Sequence, residues 1–318
     1  MLWVNVPIGL AAAALAPALI GESRSEAQTR SFDVAGAVSI TAGLSILVYA
    51  LVDATNAGWG STQTIGLGAL SVVLLASFVF IELRRRYPLI PFSIFKLRTL
   101  RGSNVIGLLL GMSLFAMFFF ISLYMQQVLG YDPLKAGLAY LPLAGLIIVS
   151  AGGASQLVAR FGFKPVLIAG LLFTAAGLFW FSRVSAPGGS YVGDVLFPEM
   201  LAAVGLGLSF VPVTIGSVTG TKPSEAGLAS GLINTSQQVG GALGLAVLST
   251  IATNRTDAVF ASGVRDSKIA LTEGFQNAFL DFRVTSEPEA TVLTITAPNG
   301  GGEAIPLLVA AFAGGEPG

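Results

Sequence analysis

The sequence predicts an all-α membrane protein with about eight transmembrane helices, and three observations predict it. Of 318 residues, 53% are hydrophobic and only 11% charged, whereas soluble domains carry about 25% charge. Mean hydropathy is +0.79. The apolar residues gather into windows of about 20, the length that crosses a hydrocarbon core of ~30 Å, and the charges fall in short segments between them. With no cysteine and no histidine, disulfides, thiolate nucleophiles, haem and ordinary zinc sites are excluded, and the commonest general base is missing. A formal net charge of zero gives no reason to expect a nucleic-acid partner.

Taken in order, the windows run near 2–20, 34–52, 64–82, 104–125, 137–158, 165–182, 195–216 and 227–252. The first has no basic residue before its apolar run and is followed by a train of further spans. Both points weigh against a secretory signal, despite Ala16-Pro17-Ala18, and the chain reads as if it starts inside a larger protein. Short cytoplasmic loops are enriched in Lys and Arg. Arg24 and Arg30 follow the first window; Arg84, Arg85, Arg86, Lys96, Arg98 and Arg101 follow the third; Arg160 and Lys164 follow the fifth, and Lys222 the seventh. These loops are assigned to the cytoplasm, so the first helix runs from outside to inside. The opposite loops are short and bear interfacial aromatics at Trp59, Tyr131 and Tyr191, with Trp180 near a helix end. Segment 83–103 reads as a solvated basic loop, or alternatively as one whose apolar middle lies along the headgroups. After 252 a polar external loop is expected, leading into the start of an incomplete last helix that ends near 280. The tail 281–318 holds prolines, acids and no spanning run, and is expected to be disordered apart from a strand-like piece at Ala290–Ala297 and a short apolar run at Ile305–Ala313.

Three groups of residues are candidates for function. In the window 104–125, Phe115, Phe119, Ser122 and Gln126 recur at i, i+4, i+7 and i+11, one stripe of a helix. Such a stripe reads as packing or lipid contact, or as one wall of a pocket for an apolar ligand. Tyr140 lies nearby, and Pro142, Pro198 and Pro212 are positioned to kink their helices. In the last window, Gly227, Gly231, Asn234, Gln238 and Gly241 fall within an arc of roughly 80° at about 100° per residue. An unpaired amide in hydrocarbon costs several kcal/mol, so this face must meet protein or a water-filled cavity. Gly227/Gly231 and Gly240/Gly244 suit close helix packing; Asn234 and Gln238 suit bonds between helices or contact with a substrate.

Ionisable residues inside spans are expensive and so prompt a functional reading. Asp33, Asp53, Glu82 and Arg183 sit at predicted helix ends. Glu199, a few residues into the window 195–216, reads first as an interfacial residue near the external end and second as a proton-titrating or cation-binding carboxylate. No nucleophile–base set, phosphate-cradling motif or metal spacing is present, and no enzyme is expected.

On these residues the sequence resembles the fourteen-helix drug/proton antiporter branch of the major facilitator superfamily (EmrB/QacA type). Residues 3–10 (WVNVPIGL) are similar to the start of that branch's sixth helix, and 118–142 (FFFISLYMQQVLGYDPLKAGLAYLP) to its ninth and tenth helices with their connection. Residues 225–248 (EAGLASGLINTSQQVGGALGLAVL) are similar to its thirteenth, and 270–279 (ALTEGFQNAF) to the entry of its fourteenth. A basic cytoplasmic loop pattern of the family is matched by Leu157, Arg160, Gly162 and Lys164, but Ala159 replaces its acid, Ser155 its leading glycine and Phe163 its second basic residue. The resemblance implies a partial major facilitator fold in a multi-pass protein of the cell membrane. On that reading 1–20 is the last helix of the N-terminal half, and 21–103 is a linking helix pair with its basic loop. Residues 104–252 are then the C-terminal bundle, 253–280 the external loop and incomplete last helix, and 281–318 a divergent tail. It further implies export of small hydrophobic or cationic substrates in exchange for protons, with no cofactor beyond the proton gradient and with a missing N-terminal half as a partner. A start inside a longer gene and a shifted frame near codon 280 would produce such a chain.

Overall fold

A computed structural model describes residues 5–19, 33–85, 88–185, 188–280, 283–287, 290–295 and 305–307. The chain divides into two units, Met1–Val34 and Ala35–Gly318. The first contains helix α1 (Asn5–Leu19), an alanine-rich apolar segment with Pro17 inside it.

The second unit begins with an antiparallel pair, α2 (Val34–Ala57) and α3 (Thr62–Arg84). The turn between them works because Gly58 takes a positive φ of 90° and Ser61 caps α3 by accepting from the Thr64 amide. The two helices come close where the Ser71 hydroxyl donates to the Gly43 carbonyl at 2.9 Å. Their other faces expose Val38, Ile65, Val72, Val73 and Phe80, as lipid-facing helices do.

A bundle follows: α4 (Arg98–Leu123), extended by a π turn at Tyr124–Val128; α5 (Pro133–Ala139); α6 (Leu141–Phe161); α7 (Phe163–Phe181); and α8 (Phe197–Val218), entered through a second π turn at Tyr191–Leu196. The last members are α9 (Ala226–Ala261) and α10 (Ser267–Leu280). Six helical segments among the described residues are long and apolar enough to cross a membrane: Val34–Thr55, Thr62–Arg84, Arg98–Val128, Pro133–Phe161, Phe163–Phe181 and Tyr191–Val218. The other two expected spans are α1, whose apolar stretch Gly9–Leu19 is shorter, and α9, 36 residues long with a polar first half.

The core lies between α4, α7, α8, α9 and α10, around Met112, Met117, Phe120, Ile121, Tyr124, Phe181, Leu206 and Leu248. Small residues set the spacing. A Cβ on Gly177 would come within 2.7 Å of the Ala202 backbone nitrogen, so α7 and α8 touch along their backbones. Gly162, with φ of 84°, is the single residue separating α6 from α7.

Three expectations are corrected. Residues 253–261, read as an external loop, continue α9, because Thr256 and Val259 are buried. Here α10 crosses so closely that a Cβ on Gly274 would meet the Ala252 carbonyl at 2.6 Å. The segment 270–280 is no mere stub, since Phe275 and Phe279 stack on Phe120 and Phe181 at ring distances of 5.4–5.9 Å. In the basic loop, Ile94 on the 3₁₀ turn Phe92–Lys96 is buried with Leu100 and Ala229, so the apolar middle packs onto protein; Arg86 lies outside the described residues. In the tail, the strand-like piece expected at Ala290–Ala297 is present as β2 (Ala290–Ile295), which pairs antiparallel with β1 (Arg283–Glu287) and β3 (Ile305–Leu307). The β-branched run from Thr291 to Ile295 suits such pairing; the remainder of the apolar run to Ala313 lies outside the described residues.

Candidate functional site

The face of α9 that packs is not the one marked out by its glycine and amide arc. Ala229, Ile233, Gly240, Gly244 and Leu248 are buried, and they meet α4. A Cβ on Gly240 would fall on the Leu108 carbonyl oxygen, and one on Gly244 would lie 2.6 Å from the Met112 Cα; from the other side, a Cβ on Gly111 would fall on the Gln237 carbonyl. Gly241 sits at the edge of this contact against the Phe115 ring. Gly227 and Gly231, expected to pack as well, have nothing within 4 Å of a Cβ. The rotation follows from where α4 carries its own glycines: Gly107 and Gly111 admit Ile233 and Gln237, which turns the Gly227–Gly231 side away. The contact includes one polar bond the sequence did not single out, Ser236 Oγ donating to Asn104 Oδ1 at 2.9 Å.

Asn234 and Gln238 therefore remain exposed. Asn234 donates to the Ser230 carbonyl of its own helix at 2.9 Å. Together with Thr235 and Val239 they form one wall of a cleft of about 650 Å³ whose other wall is α2, through Leu44, Ser45, Val48, Tyr49 and Val52. The α2 wall was missed. Its signal was the polar pair Ser45 and Tyr49, four residues apart in an otherwise apolar helix.

The α4 stripe divides. Phe115 and Phe119 are 42% and 39% exposed, and Gln126 is exposed. Ser122 instead turns to Tyr140, their hydroxyl oxygens 2.9 Å apart. The Tyr140 hydroxyl also lies 2.9 Å from the Phe118 carbonyl, to which it donates, and its ring stacks on Phe118 at 5.0 Å. This pair ties α4 to the break between α5 and α6, with Pro142 in the first turn of α6. Gly227 and Gly231 apart, the stripe and the amides share one open side of the bundle only where Phe115 meets Gly241.

Glu199 is 0% exposed, and neither carboxyl oxygen has a hydrogen-bond partner. The expectation of an interfacial side chain fails because the helical path into α8 begins at the π turn Tyr191–Leu196, ahead of the apolar window. Asp194 accepts from the Ser185 and Ser190 amides at 2.9 and 2.7 Å, and Ser190 caps the turn by accepting from Gly193. The helical path thus starts at Tyr191, and Glu199 lies eight residues along it, roughly 12 Å at 1.5 Å per residue. The phenols of Tyr140 and Tyr191 are within its electrostatic reach. Tyr191 is itself tied by donating to the Ala139 carbonyl at 2.7 Å.

At the other end of the bundle, the loop motif is a tight corner. Gly162 makes the turn, and the exposed Arg160 lies over the Phe161 ring at 5.6 Å; Lys164 falls in the first turn of α7.

Long apolar helices joined by short turns, with buried polar groups confined between helices, define a multi-pass helical membrane protein. Its residues 1–245 match the family model of the Major Facilitator Superfamily, and the chain belongs to that family of transporters. It is similar to the tetracenomycin C resistance and export protein of Streptomyces glaucescens, with 36% identity over 81% of this chain and 48% of the relative. It is also similar to the cephamycin export protein CmcT of Amycolatopsis lactamdurans, 34% over 89% and 57%, and to the puromycin resistance protein pur8 of Streptomyces alboniger, 33% over 82% and 52%. The chain spans about half the length of these curated relatives.

Proposed function

We propose that this chain is part of an exporter of hydrophobic or cationic small molecules, of the fourteen-helix drug/proton antiporter branch, driven by the proton gradient of the cell membrane. The observation that carries this is the identity of 33–36% over four fifths of the chain to proteins named for antibiotic export or resistance. The cleft between α2 and α9 supports it: an apolar wall with Ser45, Tyr49, Asn234 and Gln238 as sparse polar groups suits bulky apolar compounds with little demand on shape. Phe115 adjoins the same helix, α9, at Gly241. Alternating access needs two bundles rocking about a site between them, so transport is assigned to this chain together with a second half. The test is efflux of a lipophilic fluorescent cation from cells lacking their own pumps. Export is expected when this chain is produced with an N-terminal half from a relative and is abolished by a proton uncoupler. Absence of export in that pairing would refute the reading.

A second reading is a non-transporting membrane remnant or interaction subunit of a split transporter. Stable co-purification with an intact partner without any efflux would select it.

A further inference from the structure

We propose that Glu199 is the protonatable group of this bundle. It is neutral in the closed conformation seen here and ionises only when the end marked by Tyr140 and Tyr191 opens to water, so that each closure takes up one proton. The inference rests on the reading of the protein as a proton-driven transporter for its meaning, though not for its chemistry. The chemistry starts from burial. Glu199 is 0% exposed and both its oxygens are unpartnered, inside the apolar segment Tyr191–Val218. A carboxylate stripped of water and given no partner is far more costly than a neutral carboxylic acid.

Among the described residues no cationic side chain donates to either oxygen. The π turn contributes Tyr191 and, engaged with two backbone amides, Asp194. The α5–α6 junction contributes Tyr140, and α4 contributes Tyr124, whose hydroxyl donates to the Ser185 carbonyl at 2.7 Å. Just beyond α7, Arg183 is exposed over the Phe179 ring. On α9 and α10, Arg255 and Glu273 are paired with each other at 2.7 Å, largely in solvent. Before α5, Tyr131 lies 6.5 Å from the Tyr191 ring with the exposed Lys135 over it at 3.8 Å, and Asp132 accepts from the Leu134 and Lys135 amides; these neighbours are phenols or groups engaged elsewhere.

The surroundings also contain a way to open. Two π turns, at Tyr124–Val128 and Tyr191–Leu196, flank this end, and such irregular turns occur frequently at functional sites. The junction Ala139–Tyr140 between α5 and α6 is held by two tyrosine hydroxyls, Tyr191 to the Ala139 carbonyl and Tyr140 to the Phe118 carbonyl. Parting of that junction would wet Glu199. One carboxyl oxygen then loses its proton to the water that enters, and the site can close again only once that oxygen has taken up another.

The test uses the full chain in lipid nanodiscs and dicyclohexylcarbodiimide, a lipophilic reagent that adds to protonated carboxyl groups, read by peptide mass spectrometry. Modification at Glu199 is expected to exceed that at the ion-paired Glu273, and to fall about tenfold per pH unit above the acid's own titration point. Tyr191→Phe, which frees the junction, is expected to accelerate it. No labelling of Glu199 at any pH in folded protein, or labelling that ignores pH, would overturn the assignment. Coupling is tested separately by Glu199→Gln in the paired efflux assay. Loss of uphill export with downhill passage retained supports it, and undiminished uphill export overturns it. If the unsubstituted pair fails to export while Glu199 still titrates, the transport reading falls and the site stands.

Discussion

Replacing Gly240 and Gly231 by alanine, one at a time, separates the packed face of α9 from its open face. Both changes add one methyl to the same helix, and both gain up to about 1 kcal/mol of helix propensity. At Gly231 nothing lies within 4 Å of the new methyl, so the gain stands. At Gly240 the methyl would fall on the Leu108 carbonyl oxygen, a backbone atom of α4 that no rotamer change can move. The helices must separate, and such overpacking costs roughly 1–3 kcal/mol. The separation also loosens Gly244 on Met112, one turn further along. Because the propensity gain is common to both, the difference between the two variants isolates the steric cost. Thermal unfolding in detergent, followed by tryptophan fluorescence, is expected to rank Gly231→Ala at or above the parent and Gly240→Ala below it. Equal midpoints for the two variants would refute the assignment of faces.

Phe279→Ala is expected to lower stability by about 3–5 kcal/mol in the same assay, because its ring stacks on Phe181 and meets Phe120 edge-on; a change within about 0.5 kcal/mol, the scale of a surface substitution, would mean that α10 does not join the core. Since the chain has no cysteine, Asn234→Cys and Gln238→Cys give clean labelling sites. Both are expected to react with a maleimide in the detergent-solubilised chain, while Ala229→Cys, at 0% exposure, stays unreactive until unfolding. Arg255→Ala removes an ion pair whose side chains are 44% and 35% exposed, so thermal unfolding is expected to register only about 0.2–1 kcal/mol, less at high salt.

The spans were legible because a lipid solvent imposes a length and a composition that no other environment demands. The windows 34–52 and 64–82 sit inside α2 and α3, and 165–182 overruns α7 by one residue, on that ground alone. Which face of a helix packs was less legible. Glycine at i, i+4 marks close approach equally well on either side of α9, and the choice was made by Gly107 and Gly111 on α4, more than 100 residues away in sequence. The amides were legible as groups needing a partner, but the partner of Asn234 proved to be its own helix, and the opposing wall of the cleft came from α2, whose Ser45 and Tyr49 look unremarkable in an apolar run.

Glu199 shows most clearly how a local decision changes the meaning of a residue. Its apolar window begins at 195, which places the acid near the membrane surface, where an acid is unexceptional. The residues before it, Gly188 to Asp194, have the composition of a loop. Ser190 nevertheless accepts from the Gly193 amide of the first turn, and Asp194 holds the Ser185 and Ser190 amides of the approach to it; a capped first turn is what a helix needs at its start. The helical path accordingly begins about one turn sooner than hydropathy indicates, and the carboxyl moves from the surface to a buried position. Hydropathy windows average over side chains, whereas helix starts are fixed by individual caps, so an acid within two turns of a predicted span end is where such a reading is least able to tell a surface residue from a buried site.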